Sequence, residues 1–462
     1  MAPIVLCASL PIAVAIFALY PPRRALLVVF FAGWLFLPMA TISFEGVPDY
    51  NKNTAITCSV LLGVALFDLR RLLAFRPRWL DLPMLIWCIC PLVSAITNQV
   101  GASLAESFYG GVTNCLDHVI LWGIPYLLGR VYFTTHEHLC ELAVAFFLAS
   151  VVYLPLCMIE IRFSPQMHNW FYGYHQHHFA GTKRYGGFRP MVFMQHGLML
   201  GLFLTNGCVL GFWLWQSGLI KRVWVVPMWL LMLIQLGTTV FSKSTAALGL
   251  LVAGGGCMVA SRWSGIRIFL GALVLMGPIY MVLRATGVWT GESLYRIATH
   301  ITYQERAESL QGRMINEDLF AEKALGRPFF GWSRWNRFQV YDDWGNLLTT
   351  PDGLWVIALG QFGFTGLSSV VTLLLLPASL LMWRYRAGLW WRPAMAPAAA
   401  LAMVLVLFLL DCVLNAMINH VYLLIVGALI TVLPRIDSVP RHMVHPIHRP
   451  VPVLGRQRSD LS

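Results

Sequence analysis

Charge is what this 462-residue chain has least of. Asp, Glu, Lys and Arg make up 12% of it, about half of the ~25% usual in a soluble domain. A chain so poor in charge cannot cover itself with water-facing groups, which excludes an ordinary soluble enzyme. A metal or redox cysteine motif is also missing. The ten cysteines lie in or beside apolar runs, and Cys88 and Cys90 are too close together for a zinc CxxC pair. They read as small membrane-buried side chains. No basic segment precedes the first apolar run, so no cleavable signal peptide is expected. Internal repeats are absent, and the one biased stretch is the terminal "RHMVHPIHRPVPVLGRQR", whose composition predicts disorder.

What is there is apolar: 58% of the residues are hydrophobic, and runs near 18 residues long recur along most of the chain. A run of that length is enough to cross a bilayer as a helix. The expected fold is therefore all-α, a polytopic transmembrane bundle of about 12–13 spans with a large, partly helical loop. The runs fall near 3–20, 25–42, 54–68, 81–98, 112–129, 139–159, 190–215, 223–241, 245–260, 267–283, 353–383, 394–412 and 419–434. The run at 353–383 is longer than one crossing needs, so a tilted or broken helix is expected there.

The formal net charge of +12 would point to nucleic acid in a soluble protein. Here it follows from basic residues that hold loops on the cytoplasmic side, and no nucleic-acid partner is expected. Arg23 and Arg24, Arg70 and Arg71, Arg130, Lys221 and Arg222, Arg262 and Arg267, and Arg384 and Arg386 alternate with Arg-poor loops such as "SFEGVPDYNKN". That alternation places the C-terminal tail in the cytoplasm and two long loops outside, near 162–189 and 284–352. The first span is the weak point of this orientation. Three regions follow: 1–179, helices and the first long loop; 180–435, a core that includes the loop 284–352; and 436–462, a tail.

Both long outside loops carry basic residues against the usual bias. In the larger, "AESLQGRMINEDLFAEKAL" spaces Leu310, Met314, Leu319 and Leu325 at roughly helical intervals among charges. Gly326 and Pro328 then end the pattern. One reading is a solvated helix; the other has Arg306 and Arg313 pointing back toward an extracytoplasmic cavity and holding an anion. In the smaller loop, Lys183, Arg184 and Arg189 crowd the entrance to a span. Arginine forks phosphate oxygens in two-pronged fashion, so this cluster suits a lipid-linked phosphate or diphosphate; interfacial anchoring is the plainer alternative. His168, His175, His177 and His178 lie without a carboxylate among them, which argues against a metal and for a polar, aromatic sugar-contacting surface. Asp117, Glu160 and Asp411 lie in or near spans, where a carboxylate usually meets a partner or a boundary. Lys243 sits at an outside turn between two serines. Asp352 opens the long span, where helix capping is the plain reading.

Four segments together resemble the O-antigen ligase/O-antigen polymerase superfamily of bacterial membrane glycosyltransferases, over roughly 180–435. "RYGGFRPMVFMQHGLMLGLFL" resembles its Arg–Gly–Phe segment, and "FSKSTAALGLL" its Ser–Arg–Gly–Ala segment with Lys243 in place of Arg. "QGRMINEDLFAEKALGRPFFGW" and "DGLWVIALGQFGFTGL" resemble the two segments that follow, with Asp352 where the family usually has His. The resemblance implies an enzyme of the bacterial inner membrane. Its donor would be an undecaprenyl-diphosphate-linked oligosaccharide, handled without metal or other cofactor. It implies Arg184, Arg189, Lys243, Arg306 and Arg313 on the diphosphate, and Asp352 as base or acceptor-orienting residue. A flippase and a chain-length regulator of the same pathway would be partners. Polymerase is favoured over ligase because the His-to-Asp departure weakens the ligase match. A transporter, with polar mid-span residues and broken helices in corresponding halves, is the reading from another class.

Overall fold

A computed structural model describes residues 1–43, 46–98, 103–301 and 303–438, and only the backbone of Leu104, Ile301, Glu305, Arg306 and 436–438. The expected tail beyond 438 lies outside the described residues. The helices in chain order are α1 (Ala2–Leu19), α2 (Pro22–Phe36), α3 (Lys52–Phe67), α4 (Leu69–Leu73), α5 (Leu82–Thr97), α6 (Leu104–His118) and α7 (Ile124–Tyr132). There follow α8 (His136–Phe163), α9 (Met167–Tyr172), α10 (Gly197–Gln216), α11 (Met228–Phe241), α12 (Thr245–Ser264) and α13 (Ile268–Ala285). The last are α14 (Glu292–Ile301), α15 (Gln304–Leu325), α16 (Trp335–Phe338), α17 (Leu354–Arg384), α18 (Ala396–Leu414) and α19 (His420–Val432). Three two-residue hairpins join them: β1–β2 (Thr41–Ile42, Tyr50–Asn51), β3–β4 (Lys183–Arg184, Gly187–Phe188) and β5–β6 (Arg222–Val223, Val226–Pro227).

The fold is an all-α polytopic bundle. Among the described residues, eight helices are long and apolar enough to cross a membrane, and shorter apolar helices such as α3, α11 and α19 stand beside them. Helices α10 and α18 form the centre, each with most of its length enclosed by other helices. Lipid is as apolar as leucine, so such contacts depend on close packing and small residues rather than on water exclusion. The alanines of "APAAALAM" at the start of α18 are all buried and let neighbours approach. Helices α7 and α19 touch through reciprocal glycines. A Cβ on Gly129 would lie 2.2 Å from the Leu424 carbonyl oxygen, and one on Gly427 2.1 Å from that of Tyr126. Beside this contact, Arg130 forks Asp81 (2.7 and 2.9 Å) and donates to Thr431 Oγ1 at 2.7 Å.

The expected span at 190–215 begins as helix only at Gly197. The preceding residues are buried but irregular, and apolar content alone cannot mark that boundary. Their backbone groups are satisfied from other elements. Glu160 accepts from Met191 and Val192 N–H at 2.8 Å each, and from Met167 N–H at 3.0 Å. Tyr153 OH accepts from Phe193 N–H, the Lys52 ammonium donates to Phe193 O at 2.8 Å, and Gln176 donates to Val192 and Met194 carbonyls. Glu160 is thus a framework group, and the segment it holds carries Arg189 at one end and His196 at the other.

The long helix α17 is broken, as its length led us to expect. Gly363 adopts φ 64°, and a Cβ there would lie 2.4 Å from the Phe329 carbonyl carbon. The "GRPFFGWS" segment fills the break. Trp332 and Ser333 N–H donate to Gly360 and Gln361 carbonyls, while Phe364 and Thr365 N–H donate to Pro328 and Phe329 carbonyls.

The charged loop is a folded lid of two helices, α14 and α15, and α15 packs against α13 and α17. Its buried stripe differs from expectation. Ala307, Met314, Glu317, Phe320, Ala321 and Ala324 face inward, whereas Leu325 is exposed and Leu319 half-buried. Small alanines bring the helix close. Glu317, whose carboxyl is pushed up by burial against the pull of Tyr280 and Arg284, accepts from Tyr280 OH (2.7 Å), Arg284 Nε (3.0 Å) and Trp355 Nε1 (3.2 Å).

Candidate functional site

The lid end of the bundle gathers four chain segments: the end of the irregular strip and the start of α10, the α11–α12 turn, α15, and the junction of α18 with α19. Arg313 projects from α15 into that junction. Its Nη1 donates to Leu414 O and to Asn415 Oδ1, each at 3.2 Å. Leu414 ends α18, where unpaired carbonyls make a weakly negative pole suited to a cation. Asn415 in turn donates to Asp411 Oδ1 at 3.1 Å. Asp411 is therefore a buried group that orients Asn415 beneath Arg313. On the other side, Arg313 Nε lies 3.3 Å from Asp352 Oδ2. The guanidinium is fixed at Nε and Nη1, and Nη2 has no hydrogen bond among the described residues. A narrow cleft lined by Arg313, Asn316, Thr350, Asp352 and Leu414 opens here.

Asp352 does not cap α17, which has Gly353 at its N-cap without a side-chain bond. Its carboxylate pairs with Arg313 instead and stays 43% exposed.

Arg189 lies within electrostatic range of Arg313. Its aliphatic stem lies over Gly197, where a Cβ would come within 2.2 Å of the Arg189 Cδ. It is 6% exposed, yet its one side-chain hydrogen bond among the described residues is a long one, Nη2 to Lys243 O at 3.4 Å. Its Nε is buried without a partner among the described residues. Burial lowers its pKa, Tyr185 opposes that, and the nearby charge of Arg313 adds to the lowering. The two guanidiniums are thus near enough to feel one another's charge, and the half-exposed carboxylate of Asp352 pairs with Arg313 alone among the described residues. Such like-charge proximity is unfavourable until an anion joins it.

His196 belongs to the same cluster, and the sequence did not single it out. Its Nδ1 accepts from Leu198 N–H at 3.1 Å and caps α10, which places the ring proton on Nε2. Its ring lies 4.6 Å from that of His177. Burial, then His177, Arg189 and Arg313, push its pKa down to about 3. The imidazole is neutral, a hydrogen-bond donor beside two cations.

The remaining expected site residues separate. Lys243 is a strut: its ammonium donates to Tyr185 O at 3.0 Å while its carbonyl receives Arg189. Arg184 turns away from Arg189 and lines an open cleft with Lys183, Tyr185 and Tyr303, so it does not join the pocket. The Arg306 side chain lies outside the described residues. The four loop histidines do not act together. His168 is buried between Tyr174 O and Met39 N–H, and His177 faces His196. Asn415 and His196 could have been found only as polar residues at helix ends, a signal far weaker than an arginine cluster.

Compared with protein-family models, with curated proteins and with solved structures, the chain gives no significant match. The functional reading therefore rests on its own residues.

Proposed function

We propose that this chain is a glycosyltransferase of the O-antigen ligase/polymerase kind. It would work at the extracytoplasmic face of a bacterial inner membrane and join undecaprenyl-diphosphate-linked repeats into a surface polysaccharide. The observation that carries the reading is the pair Arg189 and Arg313. Arg189 lies over the start of α10, Arg313 reaches from the lid helix to the end of α18, and each has a donor left over among the described residues. A lipid-linked diphosphate would supply the missing negative charge together with a leaving group.

The chemistry follows from these groups. The acceptor hydroxyl oxygen attacks the anomeric carbon, and the bond from that carbon to the diphosphate oxygen breaks. The electron pair stays on the diphosphate, where Arg189, Arg313 Nη2 and His196 Nε2–H stabilise it as charge develops. The hydroxyl proton passes to Asp352, which is exposed enough to release it to water. A single displacement inverts the anomeric centre. Asp352 also holds Arg313, so it is base and orienting group together. Transfer to a lipid core, the ligase variant, uses the same steps with a different acceptor.

A transporter gains some ground from the break in α17 and from buried mid-bundle groups such as Asn206 and Gln235. The break, however, is filled by the "GRPFFGWS" peptide groups rather than left facing a cavity. Gln235 is occupied with Leu204 O and Ser150.

The test uses the full chain in nanodiscs with an undecaprenyl-diphosphate-linked oligosaccharide donor and a chelator. Longer glycan and free undecaprenyl diphosphate are the expected products. Asp352→Asn should slow turnover by about 10²–10⁴-fold while the protein stays folded. Unchanged turnover in that variant removes Asp352 as the base, and donor left intact by the wild type removes the transferase reading.

A further inference from the structure

Beside the arginine pocket lies an open cleft of about 710 Å³, walled by hairpin β3–β4 and the start of α15. Four side chains give it character. Lys183 is exposed, and Arg184 spends only its Nε, on Gly181 O at 3.2 Å. Tyr185 and Tyr303 present their rings together, centroids 5.2 Å apart and planes at 44°. Tyr185 occupies the first position of a two-residue hairpin turn at φ 49°, where a bulky residue is uncommon. A 2.9 Å hydrogen bond between its hydroxyl and Thr245 Oγ1 fixes the ring. Gln304 adds an amide, and no carboxylate lines the cleft among the described residues.

Two neighbouring phenol rings, that of Tyr185 fixed, offer the apolar C–H side of a pyranose a surface to lie on. Two cations beside them, without a carboxylate among the described lining residues, offer an acidic sugar its partners. The cleft and the pocket share a wall. Lys243 donates to Tyr185 O on the cleft side and takes the Arg189 hydrogen bond on the other. A glycan leaving a diphosphate in the pocket therefore has this cleft next to it.

We infer that the Lys183–Arg184–Tyr185–Tyr303 cleft binds an acidic sugar of the glycan, a hexuronate or another carboxylate-bearing residue. The inference rests on the lipid-diphosphate reading of the pocket. An anionic lipid headgroup would satisfy the cations equally well, but it has no ring face for the two tyrosines.

The experiment is calorimetric titration of the full chain in phosphatidylcholine nanodiscs. The probes are a tetrasaccharide alternating glucuronate with N-acetylglucosamine, neutral cellotetraose, and sugar-free undecaprenyl diphosphate. The acidic tetrasaccharide should bind about tenfold tighter than the neutral one, and less tightly as salt rises from about 50 to 200 mM. Lys183→Gln with Arg184→Gln should remove that preference, Tyr303→Ala should weaken both sugars, and all these variants should bind undecaprenyl diphosphate as the wild type does. Equal affinity for the two sugars, or a preference untouched by the double variant, overturns the inference. So does a double-variant loss seen only with phosphatidylglycerol in the nanodisc and not with the sugar. An acidic preference in a protein that ignores undecaprenyl diphosphate supports the cleft and overturns the pocket.

Discussion

Arg284 and Arg189 both lie almost fully buried near the lid, 1% and 6% exposed, and their surroundings are opposites. Arg284 is finished. Its guanidinium reaches Glu317 at 3.0 Å, Asp318 at 2.8 Å, and the carbonyls of Met314 and Trp289. Arg189 has one long bond to a carbonyl, a buried Nε without a partner among the described residues, and another cation for company. Removing a guanidinium from water costs several kcal/mol unless charge and hydrogen bonds replace the water. The first site offsets that cost within the chain and so fastens the lid to α13. The second leaves it open, which is what a site for an external anion requires.

The contrast can be broken by substitution. The largest effect is expected at the finished site. Glu317→Ala strips Arg284 of its buried counter-charge and should destabilise the protein by about 3–5 kcal/mol, read as a lowered melting temperature in detergent or nanodiscs. A melting temperature within error of the wild type would mean that Asp318 alone carries the pair. The equivalent change at the open site, Arg189→Met, should cost under about 1 kcal/mol or even stabilise, because replacing an uncompensated buried charge by an apolar chain is often neutral or favourable. A loss as large as that of Glu317→Ala would make Arg189 a structural residue.

The smallest effect is a change in pH dependence. Since His196 is held near a pKa of about 3 in the folded protein against an ordinary 6.5, the unfolded chain binds a proton in that interval and the folded protein does not. This residue's share of stability is present above about pH 6.5 and lost as pH falls toward 3. His196→Asn keeps the cap on α10 and should flatten that part of the stability profile. A profile identical to the wild type would mean that burial and the neighbouring charges do not hold His196 neutral in the folded protein.

The bundle was legible because a bilayer-spanning run needs only length and apolar composition, but among the described residues eight helices meet that need, not twelve or thirteen, and the other expected runs hold shorter helices. Boundaries were less so. "RPMVFMQ" is as apolar as a helix, yet Glu160, Tyr153, Lys52 and Gln176 hold it irregular from afar. The lid helix was legible, but its inward face was not. Large leucines mark a stripe in sequence, whereas close packing selected Ala307, Ala321 and Ala324 and a paired Glu317. At the site, Arg189 and Arg313 stood out as cations in a charge-poor chain. The split of Arg184 from Arg189 depends on a two-residue turn. Asn415 and His196 acquire their roles only when α10, α15 and α18 meet.

The central claim is that Arg189 and Arg313 form an unfinished anion site. Its most direct test is the melting temperature of the full chain in nanodiscs with and without undecaprenyl diphosphate, for the wild type, Arg189→Gln and Arg313→Gln. Ligand at about 100 times its dissociation constant should stabilise the wild type by about 2.7 kcal/mol, and that shift should fall away in both variants. A shift of the same size in either variant, or none in the wild type, would contradict the account.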